Sequence, residues 1–324
     1  MEHSITILWR IFVMFLLMIC GFVLSKLGFF DEKTTGKLSA ILTKFIIPAS
    51  IVASFVRKFN TNEALSFFSA FGIDMLFFIL SALIASVIFR KKDGSPFRDL
   101  RMCSIFVNNG FFALPLISAL FGDFGIFIGS AHLSCMHVFL WTYGTFLYKG
   151  KSGISVKSAL INPGLIATLI GSVIFVSSGI LPHSALNFIE TNGFASSFSN
   201  IILEVLNMLK GVNTPLAMLV AGAWLEKAGI KRSISDLAVW KASAVRMIII
   251  PAILLGVIYF IPVSHDIKTI IMLGSSAPTA IIAATFSQLN DADYVFCTKV
   301  ITVTTLISAI TMPLFVVVIS LLKI

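Results

Sequence analysis

Three short polar breaks lie inside otherwise apolar stretches of this chain. The first is Asn108, Asn109, Gly110 and Pro115 within Met102–Phe121, MCSIFVNNGFFALPLISALF. The second is Gly274, Ser275, Ser276, Pro278 and Thr279 within Ile267–Gln288, IKTIIMLGSSAPTAIIAATFSQ. The third is Asn213 and Thr214 immediately before Pro215. Proline removes a backbone donor and clashes with the preceding turn, so carbonyls near Phe111 and Phe112 lose their helical partners. A half-helix that resumes after such a break presents unpaired N–H groups and a partial positive charge, an arrangement that binds anions. If the breaks at Gly110–Pro115 and Ser276–Pro278 meet, Asn108, Asn109, Ser275, Ser276 and Thr279 are placed to hydrogen-bond a carboxylate. The competing reading is that these side chains only satisfy backbone groups freed at the kinks. For Asn213 and Thr214, kink repair and substrate contact stand side by side.

Charged residues within apolar runs are the other candidates. Lys44 and Lys210 each sit about a turn before a proline, Pro48 and Pro215, where a cation would raise the potential of a nearby cavity or snorkel to an interface. Asp74 is the one carboxylate deep in a run; it either relays a proton or pairs with Arg246 or Lys44. His132 and His137 are five apart, the wrong spacing for one helical face, and read as packing or backbone-bonded histidines. Glu204 reads as a solvated side chain, and Gln288, Asn290, Asp291 and Asp293 as a loop with an N-cap.

The elements that must position these residues follow from composition. Hydrophobic residues make up 57% of the chain and charged ones only 12%, against a usual charged share of about 25%. With a mean hydropathy of +0.99 the chain is an all-α polytopic membrane protein, not a soluble domain. The net charge of +9 comes from short basic segments between apolar runs, so no nucleic-acid partner is expected; the partner is the lipid bilayer. Cys20, Cys103, Cys135 and Cys297 lack metal-ligand spacing and read as packing residues. The N-terminal run from Ile5 to Leu27 lacks a basic n-region and a cleavage site and is kept as a span.

Runs long enough to cross a bilayer, roughly 18–25 residues, predict ten spans: Ile5–Leu27, Leu38–Val56, Ala64–Phe89, Met102–Phe121, Gly125–Tyr148, Pro163–Leu181, Asn200–Glu226, Trp240–Ile261, Ile267–Gln288 and Ala292–Leu322. Loops after odd-numbered spans hold about sixteen Lys and Arg and the opposite side about five, which places both termini outside the cytoplasm. Ten spans divide into residues 1–150 and 151–324, and five spans per half force the second half to be inverted. Interrupted spans at matching places in two halves point to a transporter's binding site.

No P-loop, G-x-G-x-x-G after a strand, H-E-x-x-H or G-x-S-x-G elbow is present, so neither enzyme chemistry nor a cofactor is expected. Instead VNNGFFALPLI, NTPLAMLVAGAWL and GSSAPTAIIAATF, followed by DADYVFCTKVITVTTLISAITMPLF, resemble the auxin efflux carrier family, which includes plant PIN carriers and bacterial malate and malonate permeases. The most specific pieces are Asn109–Pro115, the Ala277-Pro278 pair and Ser308–Pro313.

The resemblance implies a fold similar to sodium/proton antiporters. In that fold the fourth and ninth helices cross at Pro115 and Pro278. The first, second, sixth and seventh spans form a scaffold, with a possible homodimer through it, and spans three to five and eight to ten form a mobile transport domain. Asn109 carries over as the polar residue lining the site, whereas Ser276 stands near where plant carriers have an Asn. The short connection Lys149–Asn162 matches a prokaryotic permease of the bacterial inner membrane. The expected function is secondary transport of small organic anions such as malate, malonate or auxin-like acids by an elevator-type movement. Alternatives are a sodium- or proton-coupled carrier on the related fold, a channel, or an intramembrane enzyme.

Overall fold

Prolines and capping residues fix where this chain's helices start, widen and stop. A computed structural model describes residues 2–90, 96–153, 157, 160–181, 193–227, 229 and 233–322. The helices are α1 (Glu2–Lys26), α2 (Glu32–Ile41), α3 (Ile47–Phe55), α4 (Thr61–Ile88), α5 (Phe97–Ile105), α6 (Leu114–Phe139), α7 (Thr145–Lys149) and α8 (Pro163–Ile180). They continue as α9 (Gly193–Lys227), α10 (Leu237–Ala244), α11 (Ile250–Tyr259), α12 (His265–Ser275), α13 (Ile282–Leu289) and α14 (Tyr294–Leu322). Asp31, Asn60, Asn162, Asp236 and Ser264 cap α2, α4, α8, α10 and α12 by accepting an N–H of the first turn. Asp293 accepts Phe296 N at 2.9 Å at the start of α14, the N-cap expected there.

Three wide turns share one cause. Pro48, Pro115 and Pro251 each follow a π-helical turn, Leu42–Ile46, Asn109–Ala113 and Val245–Ile249. In each, the residue before the proline bonds five positions back: Ile47 to Leu42 O, Leu114 to Asn109 O and Ile250 to Val245 O. Widening the turn relieves the clash of the proline ring with the carbonyl four residues earlier while keeping the chain helical.

Among the described residues, seven segments are long and apolar enough to cross a membrane: 9–26, 32–55, 61–88, 109–152, 163–180, 237–259 and 294–322. The ten-span expectation differs for physical reasons. Met102–Phe121 and Ile267–Gln288 are each split, and α5, α12 and α13 are too short to cross alone. The expected fourth and fifth spans run together in 109–152, separated by Gly122, whose φ of 57° and ψ of −139° suit glycine alone. Asn200–Glu226 lies inside the longer α9. Of the basic residues counted for orientation, Lys91, Lys92, Lys231, Arg232 and Lys323 lie outside the described residues.

Packing pairs α1 with α9, α3 with α8 and α9, and α4 with α5 and α6, while α14 packs on α5, α10, α12 and α13. The α1–α9 contact is backbone to backbone. A Cβ at Gly21 would stand 2.1 Å from Leu219 O, and one at Gly222 would stand 1.9 Å from Met18 O. Close approach through small residues is how helices associate where lipid removes the hydrophobic drive. Trp9, Phe12, Leu16 and Ile19 on α1, with Val173 and Ile180 on α8, stay exposed, as a lipid-facing surface requires.

Candidate functional site

The first two polar breaks meet. Phe106 and Val107 leave α5 in extended conformation, and Val107 forms an antiparallel β-bridge with Thr279. Asn108 N donates to Pro278 O at 2.7 Å and Ala280 N to Phe106 O at 2.9 Å. Backbone groups that each break strips of helical partners are thereby satisfied by the other break, which membrane burial demands.

The C-terminal ends of the two upstream half-helices are capped by side chains. Thr279 Oγ1 donates to Cys103 O at 2.8 Å, over the end of α5, and Thr279 N donates to Thr304 Oγ1 at 3.2 Å. At the end of α12, the fully buried Arg246 donates to Ser275 O and, through Nε and Nη2, to Ala277 O at 3.1 and 2.9 Å. A guanidinium suits the negative end of a helix, and its fork reaches two carbonyls at once.

The N-terminal ends that follow face a shared cavity of ≈ 270 Å³. Asn108 to Phe111 line it from the first break and Ala280 to Ile282 from the second, joined by Thr43, Lys44, Ile47, Leu133, Met136, His137, Asn162, Pro163 and Gly164. Asn109 is fully buried, and neither atom of its amide has a hydrogen-bond partner. A buried amide without a partner carries a desolvation cost of about 1–3 kcal/mol, so Asn109 holds hydrogen-bonding capacity that the protein itself does not use. Asn108 is instead committed in part, its Oδ1 accepting Phe111 N at 3.3 Å. Gly110 packs tightly enough that a Cβ would stand 3.2 Å from Ile47 Cδ1.

The remaining expected residues divide between the cavity wall and the frame. Lys44 lines the cavity. Ser275, Ser276, Pro278 and Thr279 do not line it: Ser275 Oγ donates to Met272 O, Thr279 ties the two breaks together, and the buried Ser276 hydroxyl has no partner. Pro115 offers its carbonyl to Thr214 Oγ1 at 3.3 Å, so Thr214 joins α9 to the start of α6. Asn213 is buried with both amide atoms unpartnered and is not a cavity residue.

Asp74 pairs with neither Arg246 nor Lys44. Its Oδ1 lies 2.6 Å from His132 Nδ1, with both side chains almost fully buried, and the outer atoms, Asp74 Oδ2 and His132 Nε2, have no partner. His132 is therefore not a bystander: it packs against the rings of both Phe77 and Phe78, with Gly274 of α12 so close that a Cβ there would stand 3.2 Å from the ring. Lys210 pairs with Asp123 at 2.6 Å, and Glu204 is exposed as expected.

His137 and Asn162, both on the cavity, were not expected there. Spacing along one helix could not find His137, because the wall is assembled from several helices. An Asn directly before the Pro163-Gly164 helix start was a visible N-cap signal for Asn162.

The description "Membrane transport protein" belongs to a family whose model matches residues 6–157 and 151–316. An uncharacterized transporter of Methanothermobacter thermautotrophicus is 24% identical over 304 residues, covering 92% of this chain and 94% of that protein. Another, from Methanocaldococcus jannaschii, is 24% identical over 318 residues, covering 94% and 96%.

Proposed function

Because this chain belongs to the membrane transport protein family, that of the auxin efflux carriers, we propose that it is a secondary transporter of small organic anions. The observation that carries this reading is the cavity at the joined breaks, where two helix N-terminal ends and the unpartnered Asn109 amide converge while Arg246 neutralises the opposite end of α12. Such a site favours a carboxylate through oriented N–H groups and partial positive charge.

The contacts between helices support an inverted repeat and an elevator. Pairing α1 with α9 mirrors pairing α8 with α3, and α5 on α14 mirrors α12 on α6, as two inverted halves require. The scaffold is α1, α2, α3, α8 and α9; the moving part is α4 to α7 and α10 to α14, with helices crossing at Pro115 and Pro278. With the basic loops on the cytoplasmic side, Thr43, Lys44 and Asn162 to Gly164 put one wall of the cavity towards that side, and both termini lie outside a plasma membrane.

Proteoliposomes loaded with labelled malonate, malate or lactate test the proposal: saturable flux that competes with unlabelled carboxylate is expected, and flux unaffected by any carboxylate would end it. A second reading, proton coupling of the same transport, is favoured by the buried Asp74–His132 pair that touches α12 beside the second break.

A further inference from the structure

The cavity opens along a seam between α6 and the pair α3 and α8, and beyond it all three helices carry aromatic rings that meet. From the cavity, α3 runs from Ile47 to Phe55 and α8 from Gly164 to Phe175, while α6 runs the other way, from Phe127 to Leu133, each covering roughly 9–17 Å. Phe127 stands edge-on to Phe55 at 4.7 Å and to Phe175 at 5.3 Å between ring centroids, with the Arg57 guanidinium 5.1 Å from its own centroid. All three rings are almost fully buried, so the seam is closed to water at this level. The basic loops lie at the other end, which makes this the outer end in the orientation proposed above.

The opposite flank of α6 is tied as well. One turn before Phe127, Asp123 Oδ1 accepts Lys210 Nζ of α9 at 2.6 Å. One turn further along α9, Thr214 Oγ1 donates to Pro115 O at 3.3 Å. Between these two ties sits Asn213, 1% exposed and three residues after Lys210, with neither amide atom partnered. A buried amide without partners raises the free energy of the closed seam, and water entering there would satisfy it. The closure is therefore held by several contacts and opposed by one group built into it.

We propose that the outer half of α6 is a latch: Phe127 between the rings of Phe55 and Phe175, and Asp123 against Lys210, close the outer end of the seam, and Asn213 favours its release. The proposal rests on the division into scaffold and moving part given above, with α3, α8 and α9 in the first and α6 in the second. For the cavity to open outward, Phe127 must leave its neighbours and the ion pair must part, while Asn213 becomes hydrated and offsets part of that cost. Because α9 also packs on the π turn that carries Asn109, water admitted past Asp123 has a direct way to the joined breaks.

The test uses Ala217→Cys, at a fully buried position on α9 one turn past Asn213 and Thr214, in the full-length protein in intact cells. A membrane-impermeant maleimide added outside reports opening, with labelling of the protein lacking Ala217→Cys subtracted. The cysteine should be protected in the otherwise native chain. Phe127→Ala and Asp123→Asn should each raise its labelling rate by about threefold or more. Asp123 is half-exposed, so Asp123→Asn leaves the packing intact. The charge-reversed pair Lys210→Asp with Asp123→Lys should restore protection, and Asn213→Leu added to Phe127→Ala should lower the rate again, a reversal that mere loosening of the fold does not give. Ile310→Ala, at an exposed position on α14, is the control and should change nothing. Free labelling in the native background, no rise in either latch variant, or an equal rise in Ile310→Ala overturns the latch. Labelling needs no solute, so each of these results leaves the organic-anion reading to be decided by carboxylate flux alone.

Discussion

The Asn108 amide donates to the Pro278 carbonyl at 2.7 Å, a main-chain bond between opposite halves of the chain. With the reciprocal bond from Ala280 N to Phe106 O, it makes the two breaks one body. Neither can shift alone without exposing backbone groups to lipid. Any movement that carries the cavity across the membrane must therefore carry α5, α6, α12 and α13 together.

Asn109→Ala separates binding from folding. The amide has no protein partner, so its removal breaks no internal hydrogen bond and relieves a buried unsatisfied group. Carboxylate flux in proteoliposomes should fall tenfold or more while the melting temperature in detergent stays equal or rises. A matching loss of thermal stability would show that the side chain is structural.

Arg246→Met should behave in the opposite way. It strips the carbonyls of Ser275 and Ala277 of their donors, at about 1–3 kcal/mol for each left bare. Arg246→Lys should recover only part of this, because an ammonium lacks the planar fork. Denaturant or thermal unfolding in detergent is the measurement, and a stable, active Met variant would refute the capping role.

Asp74→Asn keeps a hydrogen-bonding side chain beside His132 and removes the group that can take up and release a proton. On the proton-coupled reading, flux in the variant should persist down a substrate gradient but lose its response to an imposed pH gradient. Equal responses in variant and wild type would remove Asp74 from coupling.

Gly21→Ala and Gly222→Ala probe the α1–α9 seam. Each added methyl would meet backbone, not a movable side chain, so the helices must separate, at roughly 1–3 kcal/mol or more. Gly256→Ala in α11 meets nothing within 4 Å and should be neutral or stabilising, through helix propensity. Melting temperatures of the three variants give the comparison; equal values would contradict the close approach.

Sequence alone determined the membrane class, the polar breaks at Asn108–Pro115 and Gly274–Thr279, and the place of Asn109 within the first of them, because lipid admits an interrupted helix only where protein or a cavity repairs it. The N-cap at Asp293 and the boundary near Gly122 were equally local, and local rules found them. Tertiary structure alone decided which polar residues serve the cavity and which serve the frame. Ser275, Ser276 and Thr279 carry the same hydrogen-bonding groups as a binding residue would, yet none lines the cavity and Thr279 stitches the breaks together. His132 and Arg246 acquired roles from Asp74 and the end of α12, partners distant along the chain. His137 and Asn162 reached the cavity because helices from separate parts of the sequence enclose it. Periodicity reports the face a residue occupies on its own helix; which neighbour that face meets is set by the packing of all the others.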